Sequence, residues 1–398
     1  MFSGRLPRTL TTNRLADAVG RLRAAGRSFI DLTESNPTRA GFDYPGDLLA
    51  PLSHAASRVY APAPLGSMEA REAVAREYER RGLTVAPDRV VLTSSTSEAY
   101  SWLFKLLTDA GDEVLVPRPS YPLFDHLTRL DLVTTRPYDL EYHGSWSIDF
   151  AAVERALTPR TRAVLIVSPN NPTGSFVSVA ELDRLSALCA PRGVALIADE
   201  VFADYALEPD AAPAAGRVSA RRDVLSFALG GLSKTVGLPQ LKLGWMAVSG
   251  PDALVAAALA RLEIIGDAYL PVSTPVQVAA ASLLAAGGHV RRQIAARVVA
   301  NYRALRSAVA QAPSCAVLRD DAGWYAVLQV PTFESEEQLV VSLLERDGVL
   351  THPGYFFDFA RGSFLVVSLL PPPDVFADGL NRVLRHFACS AGMNVRTP

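Results

Sequence analysis

The sequence predicts an α/β fold: a large, doubly wound, mostly parallel sheet domain joined to a smaller α+β domain built from both termini. Three observations predict it. From about residue 66 helical and strand patterns alternate along the chain. Two of the strands, "AVLIVSP" and "VALIADE", are continuously apolar, as parallel strands covered on both faces are. After about residue 290 the alternation gives way to a long helix and short strands, and 398 residues exceed what one compact core holds.

Taken in order, "LADAVGRLRAA" spaces its leucines among arginines as an amphipathic helix does, and it lacks the uninterrupted apolar core of a leader peptide. "SMEAREAVAREYERRG" reads as helix, "RVVLTS" as strand, "SEAYSWLFKLLTDAG" as helix and "DEVLVP" as strand. "SVAELDRLSALCAPRG" is the crossover helix between the two apolar strands. Then follow a helix from "HVRRQIAARV", a strand "GWYAVLQVP", a helix "SEEQLVVSLLERDG", a strand "FLVVSLLPP" and a final helix, as in an antiparallel α+β unit. The expected divisions are an N-terminal segment 1–45 packing with the small domain, a large domain 46–285 and a small domain 286–398.

A net charge of -2 with 49% hydrophobic and 20% charged residues excludes a nucleic-acid binder and a disordered chain. Three distant cysteines give neither a disulfide framework nor zinc-ligand spacing, so no metal and a reducing, cytoplasmic setting are expected. The longest apolar run, "ALVAAALA", falls far short of the roughly 20 residues of a membrane span.

Ligands of doubly wound sheets sit at the carboxyl ends of the strands, and the chemistry-bearing residues gather there. Ser95, Thr96 and Ser97 mark a passage from strand to helix, where hydroxyls and free N–H groups either cap the helix or hold an anion. Tyr121 stands between prolines at the next strand mouth, placed to pack or to stack on a planar group. Asn170 and Asn171 in "SPNNPTG" offer amides beside a turn. Asp199 and Glu200 end an apolar strand, and a carboxylate buried there needs a partner, either an arginine or a protonated ring nitrogen. Lys234, in a Gly-Leu-Ser-Lys loop, becomes a nucleophilic amine if an apolar pocket disfavours its ammonium form. An anion cradle, a stacking ring, an acid and a covalent amine are the parts that pyridoxal phosphate requires.

These stretches, with "VYAPAPLGSMEAREAVA" near the start, resemble the fold-type I pyridoxal-phosphate aminotransferases of the aspartate aminotransferase superfamily, class I/II, over nearly the whole chain. The resemblance implies that Lys234 is the Schiff-base lysine and proton shuttle and that Asp199 pairs with the pyridine nitrogen. It implies that Asn171 bonds the ring's 3'-oxygen, that Tyr121 stacks on the ring, that residues 95–97 with Lys242 hold the phosphate, and that Ser233 is a further cofactor-binding residue. Tyr60 would reach the phosphate of a neighbouring subunit, so a homodimer with shared sites is expected. The implied reaction moves an amino group from an amino acid to a 2-oxo acid by a ping-pong route.

Four positions depart from the family pattern. Lys242 stands where an arginine is usual, and Gly231 where a serine often is. Phe202 replaces a tyrosine that bonds the 3'-oxygen, leaving Tyr205 as a substitute donor. Val366 replaces the arginine that grips the substrate carboxylate, leaving Asn36 and Arg39 in "ESNPTRAGF" and Arg361 in "FFDFARGSF" as substrate-binding candidates. That last departure keeps a lyase or cyclising synthase open beside the aminotransferase, and a non-catalytic cofactor-binding protein behind both.

Overall fold

The structure is a computed structural model describing residues 2–208, 216–360 and 362–393, with the backbone alone for 389–393. Its strands, in chain order, are Ile30–Asp31 (β1), Val90–Thr93 (β2), Glu113–Arg118 (β3), Thr134–Tyr142 (β4), Trp146–Ile148 (β5), Thr161–Val167 (β6) and Ala195–Asp199 (β7). They continue with Ser226–Gly231 (β8), Gly244–Ser249 (β9), Ala316–Val317 (β10), Tyr325–Gln329 (β11), Val349–Leu350 (β12), His352–Pro353 (β13) and Phe364–Ser368 (β14).

An eight-stranded sheet runs β2-β9-β8-β7-β6-β3-β4-β5. The pairs β4·β3, β3·β6, β6·β7 and β7·β8 are parallel, whereas β9 and β5 run antiparallel to their neighbours. Every residue of β6 but one, and all of β7 and β8, are buried, because helices cover both faces. One face packs against the helix Met68–Arg80 and the start of Thr274–Val309; the other packs against Thr96–Leu107 and Asp252–Tyr269. The sequence pattern missed β8 and β9: "SFALGG" and "GWMAVS" are glycine-containing strands, tolerated because their neighbours press close. A Cβ on Gly230 would lie 2.5 Å from the Trp245 indole nitrogen across the pair.

The antiparallel sheet β10-β11-β14-β13 and the final helix Pro373–Met393 form the second layer system. The N-terminal segment joins it through β1, which pairs in parallel with β12, while the amphipathic helix Arg14–Ala24 buries Leu15, Ala18 and Leu22 in the same core.

The helix expected to begin near His289 begins at Thr274 and runs unbroken through the division expected at 285/286. Gly287 and Gly288 do not end it. A Cβ on Gly287 would lie 2.5 Å from Cβ of Val236, so that glycine serves close packing rather than a stop. No described helix is long and apolar enough to cross a membrane.

Candidate functional site

Five strands of the large sheet deliver side chains to one edge. β2 ends at Thr93, and Ser95 caps the helix Thr96–Leu107, its Oγ accepting from the Glu98 N–H at 3.2 Å. Thr96 and Ser97 are the first two helical residues, so their N–H groups have no carbonyl within the helix to reach. Gly244 lets this turn approach the sheet: a Cβ there would sit 2.8 Å from the Ser95 carbonyl carbon. Gly231, in extended backbone, lies against Gly244 in the β8·β9 pair. Lys242, exposed and with φ 51°, stands two residues before Gly244 on the same connection.

Beyond β6 the two asparagines divide their roles. Asn170 is committed to the turn, its Nδ2 donating to Pro119 O at 3.0 Å and to Thr173 Oγ1 at 2.9 Å. Asn171 is buried, and its Oδ1 has no hydrogen-bond partner. The amide can be turned over to present N–H instead, so this group awaits a ligand rather than serving the fold.

β7 ends at Asp199. Its Oδ2 accepts from the Tyr100 hydroxyl at 3.0 Å and its Oδ1 from the Val201 N–H at 3.2 Å. Burial pushes its carboxyl up to about 6, against the pull of Val201, Tyr100 and the charge of Lys234. The arginines that could have paired here act on Glu200 instead, which lies near Arg217 and Arg81.

After β8 the expected loop is a helical turn, Leu232–Thr235, because the Leu232 N–H is drawn to Leu243 O and the chain closes on itself at Val236. Lys234 Nζ sits 4.8 Å from the Trp324 ring centroid and 5.7 Å from that of Phe202. Burial lowers its ammonium to about 8, outweighing the attraction of Asp199. Ser233 beside it is half-buried. Tyr121 is partly exposed with its edge toward Phe124, and the charge of Asp199 reaches its hydroxyl.

Tyr205 is not the substitute donor that Phe202 requires. Its hydroxyl donates to the Lys234 carbonyl at 2.5 Å, inside the second core. The substrate-side candidates also change. Asn36 spends its Oδ1 capping the turn Pro37–Arg39, accepting from the Thr38 N–H and hydroxyl. Arg39 is exposed at the end of that turn. Arg361 lies outside the described residues. Val366 is wholly buried in a cluster with Leu318, Val327, Phe357 and Phe364. Tyr60 is 77% exposed and borders a cavity of about 240 Å³ with Pro62, Leu270 and Gln277, apart from Lys234.

Tyr100, Trp324 and Tyr325 escaped the sequence reading. Tyr100 carried a signal: it lies four residues after Thr96 and so shares that helix face. A cavity of about 530 Å³ opens beside Ser120 and Tyr121 toward Phe356 and Phe359, and Lys234 is not among its lining residues. No group of three or more metal-ligating side chains occurs among the described residues.

Residues 53–373 match the model of the family "Aminotransferase class I and II". Alanine aminotransferase of Mycobacterium tuberculosis (strain ATCC 25618 / H37Rv) is 29% identical over 88% of this chain and 83% of its own length. Glutamate-pyruvate aminotransferase AlaA of Escherichia coli (strain K12) is 30% identical over 68% of this chain and 66% of its own. Among solved structures, an alanine aminotransferase from Pyrococcus furiosus superposes with a TM-score of 0.86 at 22% identity, covering 98% of this chain and 100% of its own.

Proposed function

The chain belongs to the aminotransferases of class I and II and is a transferase enzyme; from that premise we propose that it binds pyridoxal 5'-phosphate and moves an amino group from an amino acid to a 2-oxo acid. The observation that carries the reading is Lys234 beside a buried, arginine-free Asp199, with the unpartnered amide of Asn171 at the same sheet edge. These residues fit the group.

Asp199 would hold its ring nitrogen, Asn171 its 3'-oxygen and Tyr121 its face. The N–H groups of Thr96 and Ser97, the hydroxyls of Ser95 and Ser233, Lys242, and Tyr60 of a partner subunit would hold its phosphate. When bound, the cofactor supplies an electron sink that stabilises negative charge on the substrate carbon. Lys234 carries the proton: with its amine lowered to about 8, about a tenth of it is neutral at pH 7, ready to take the substrate's proton at Nζ and return it. Asp199, ionised above about 6, would hold a proton on a ring nitrogen bound at its carboxylate. Phe202 and Trp324 present their rings to Nζ, part of the surroundings in which burial disfavours the ammonium. Arg39 is the candidate for the substrate carboxylate.

A homodimer sharing its sites in a cytoplasmic setting fits this assignment, since Tyr60 stands exposed away from its own Lys234. The test is borohydride reduction of the cofactor-loaded protein, followed by peptide mapping and a single-turnover screen of amino acids. A cofactor adduct on Lys234, and loss of its absorbance as an oxo acid appears, are expected. An adduct elsewhere, or oxo-acid release without a stored amino group, would refute the assignment.

A further inference from the structure

On the small-sheet side of the site Glu34 is a carboxylate with no ion-pair partner among the described residues. Tyr325 and Ser368 are cross-strand partners on β11 and β14, and Val366 lies two residues along the same face. The segment 32–36 is tied to that edge: Ser368 N donates to Leu32 O at 2.6 Å, and Ser368 Oγ donates to Glu34 O at 2.6 Å. The Ser35 hydroxyl faces that of Tyr325. Glu34 is fixed in turn, its Oε1 accepting from the Asn36 N–H at 2.7 Å. Its other oxygen has no hydrogen-bond or ion-pair partner among the described residues.

The charge of Glu34 acts on the Tyr325 hydroxyl, as does that of Tyr121. The Tyr325 ring is 6.4 Å from that of Phe202, whose centroid is 5.7 Å from Lys234 Nζ. A half-buried carboxylate with one free oxygen therefore stands two side chains from the amine. Without a counter-ion, such a group repels a second anion and attracts donors.

We infer that Glu34 is a specificity-determining residue, making the corner between Glu34 and Tyr325 take an amide, hydroxyl or ammonium side chain of the amino donor and disfavour a side-chain carboxylate. The inference rests on the aminotransferase reading above. The holoenzyme is mixed in single turnover with L-glutamate, L-glutamine and L-ornithine while the cofactor absorbance is followed. The wild type is expected to react with glutamine or ornithine at least about tenfold more efficiently than with glutamate.

Glu34→Gln, which keeps the acceptor for the Asn36 N–H, is expected to raise the glutamate rate and lower the ornithine rate, changing their ratio at least about tenfold. Glu34→Asp, which keeps the charge, is expected to retain the wild-type preference. Glutamate reacting as well as glutamine and ornithine in the wild type, or a ratio unmoved by Glu34→Gln, overturns the inference. So does a lack of reaction with all three donors in an enzyme that other amino acids convert. If no amino acid converts a cofactor demonstrably bound to Lys234, the transfer reading itself falls.

Discussion

The large-sheet wall and the small-sheet wall of the site meet at Lys234, and they hold to the family pattern unequally. The large-sheet wall keeps Lys234, Asp199, Asn171, Tyr121 and the 95–97 turn, each at the carboxyl end of a strand. The small-sheet wall has Val366 sealed in an apolar cluster, with Glu34 and Tyr325 nearby. A reaction type is set by groups that touch the cofactor, and substrate choice by groups that touch what varies between substrates. The difference between the walls therefore puts the kept family pattern on the side that would hold the cofactor and the departures on the side that would meet the substrate.

Asp199→Asn offers the hardest test of the first wall. Activity is expected to fall by about 10²- to 10³-fold, as when a key electrostatic group is removed. Its effect on Lys234 has a definite sign. The amine is lowered from 10.5 to about 8, so the stability of its neutral form is present above 10.5 and lost as pH falls through about 8. Because Asp199 favours the ammonium, the asparagine variant should move the midpoint of Lys234 acylation in the cofactor-free protein below that of the wild type. An unmoved midpoint would separate the two side chains functionally.

Arg39→Ala probes the second wall. Losing a charge-assisted contact costs about 1.5–3 kcal/mol, so KM for the amino donor should rise roughly tenfold or more with the cofactor spectrum unchanged. An unchanged KM removes Arg39 from the site.

Tyr100→Phe returns to the first wall with a smaller effect. Removing one hydrogen bond to the carboxylate, at about 1–2 kcal/mol, should weaken cofactor binding about 5- to 30-fold. It should also raise the pH at which that binding sets in, since the tyrosine holds Asp199 down from an already elevated value near 6. Burial acts in the same direction: the stability of a neutral Asp199 is present below its ordinary value of 3.8 and is lost as pH rises through about 6. The pH dependence of cofactor affinity, measured by fluorescence quenching, would show no shift if the bond were incidental.

Val366→Ala should leave kcat/KM within about twofold and cost about 1–3 kcal/mol in denaturant unfolding, as a trimmed core residue does. A changed donor preference would instead place position 366 back in contact with substrate.

The first wall was legible in the sequence because residues 95–97, Tyr121, Asn171 and Asp199 each follow a strand readable from its pattern, and strand ends converge once the sheet is parallel, whereas Lys234 was read from its own Gly-Leu-Ser-Lys stretch after a strand the pattern missed. Tyr100 was hidden by a pattern that fits plain helix packing. Of the second wall Val366 was read as a departure, but Glu34 and Tyr325 were not legible, because they are brought to it by the tie of residues 32–36 to Ser368 and by the β11·β14 pairing. No local period reveals a contact between residues some 300 positions apart. The helical turn at Lys234 was read as a loop because four residues are too few to show a helical period.

The helix Thr274–Val309 links the two walls. At 1.5 Å per residue its 36 residues span about 54 Å. Its beginning is sunk in the core under the large sheet and its remainder in the core of the small one, so it works as a lever shared by both. Gly287 is the shim beneath that lever, resting against Val236, which lies two residues from Lys234. One methyl group added there would collide with Val236, so the valine or the rod would have to shift, and any tilt of the rod would grow along the roughly 33 Å to its far end. The seat of the rod that both cores share is thus a single hydrogen atom wide at Gly287, packed on Val236 two residues from Lys234.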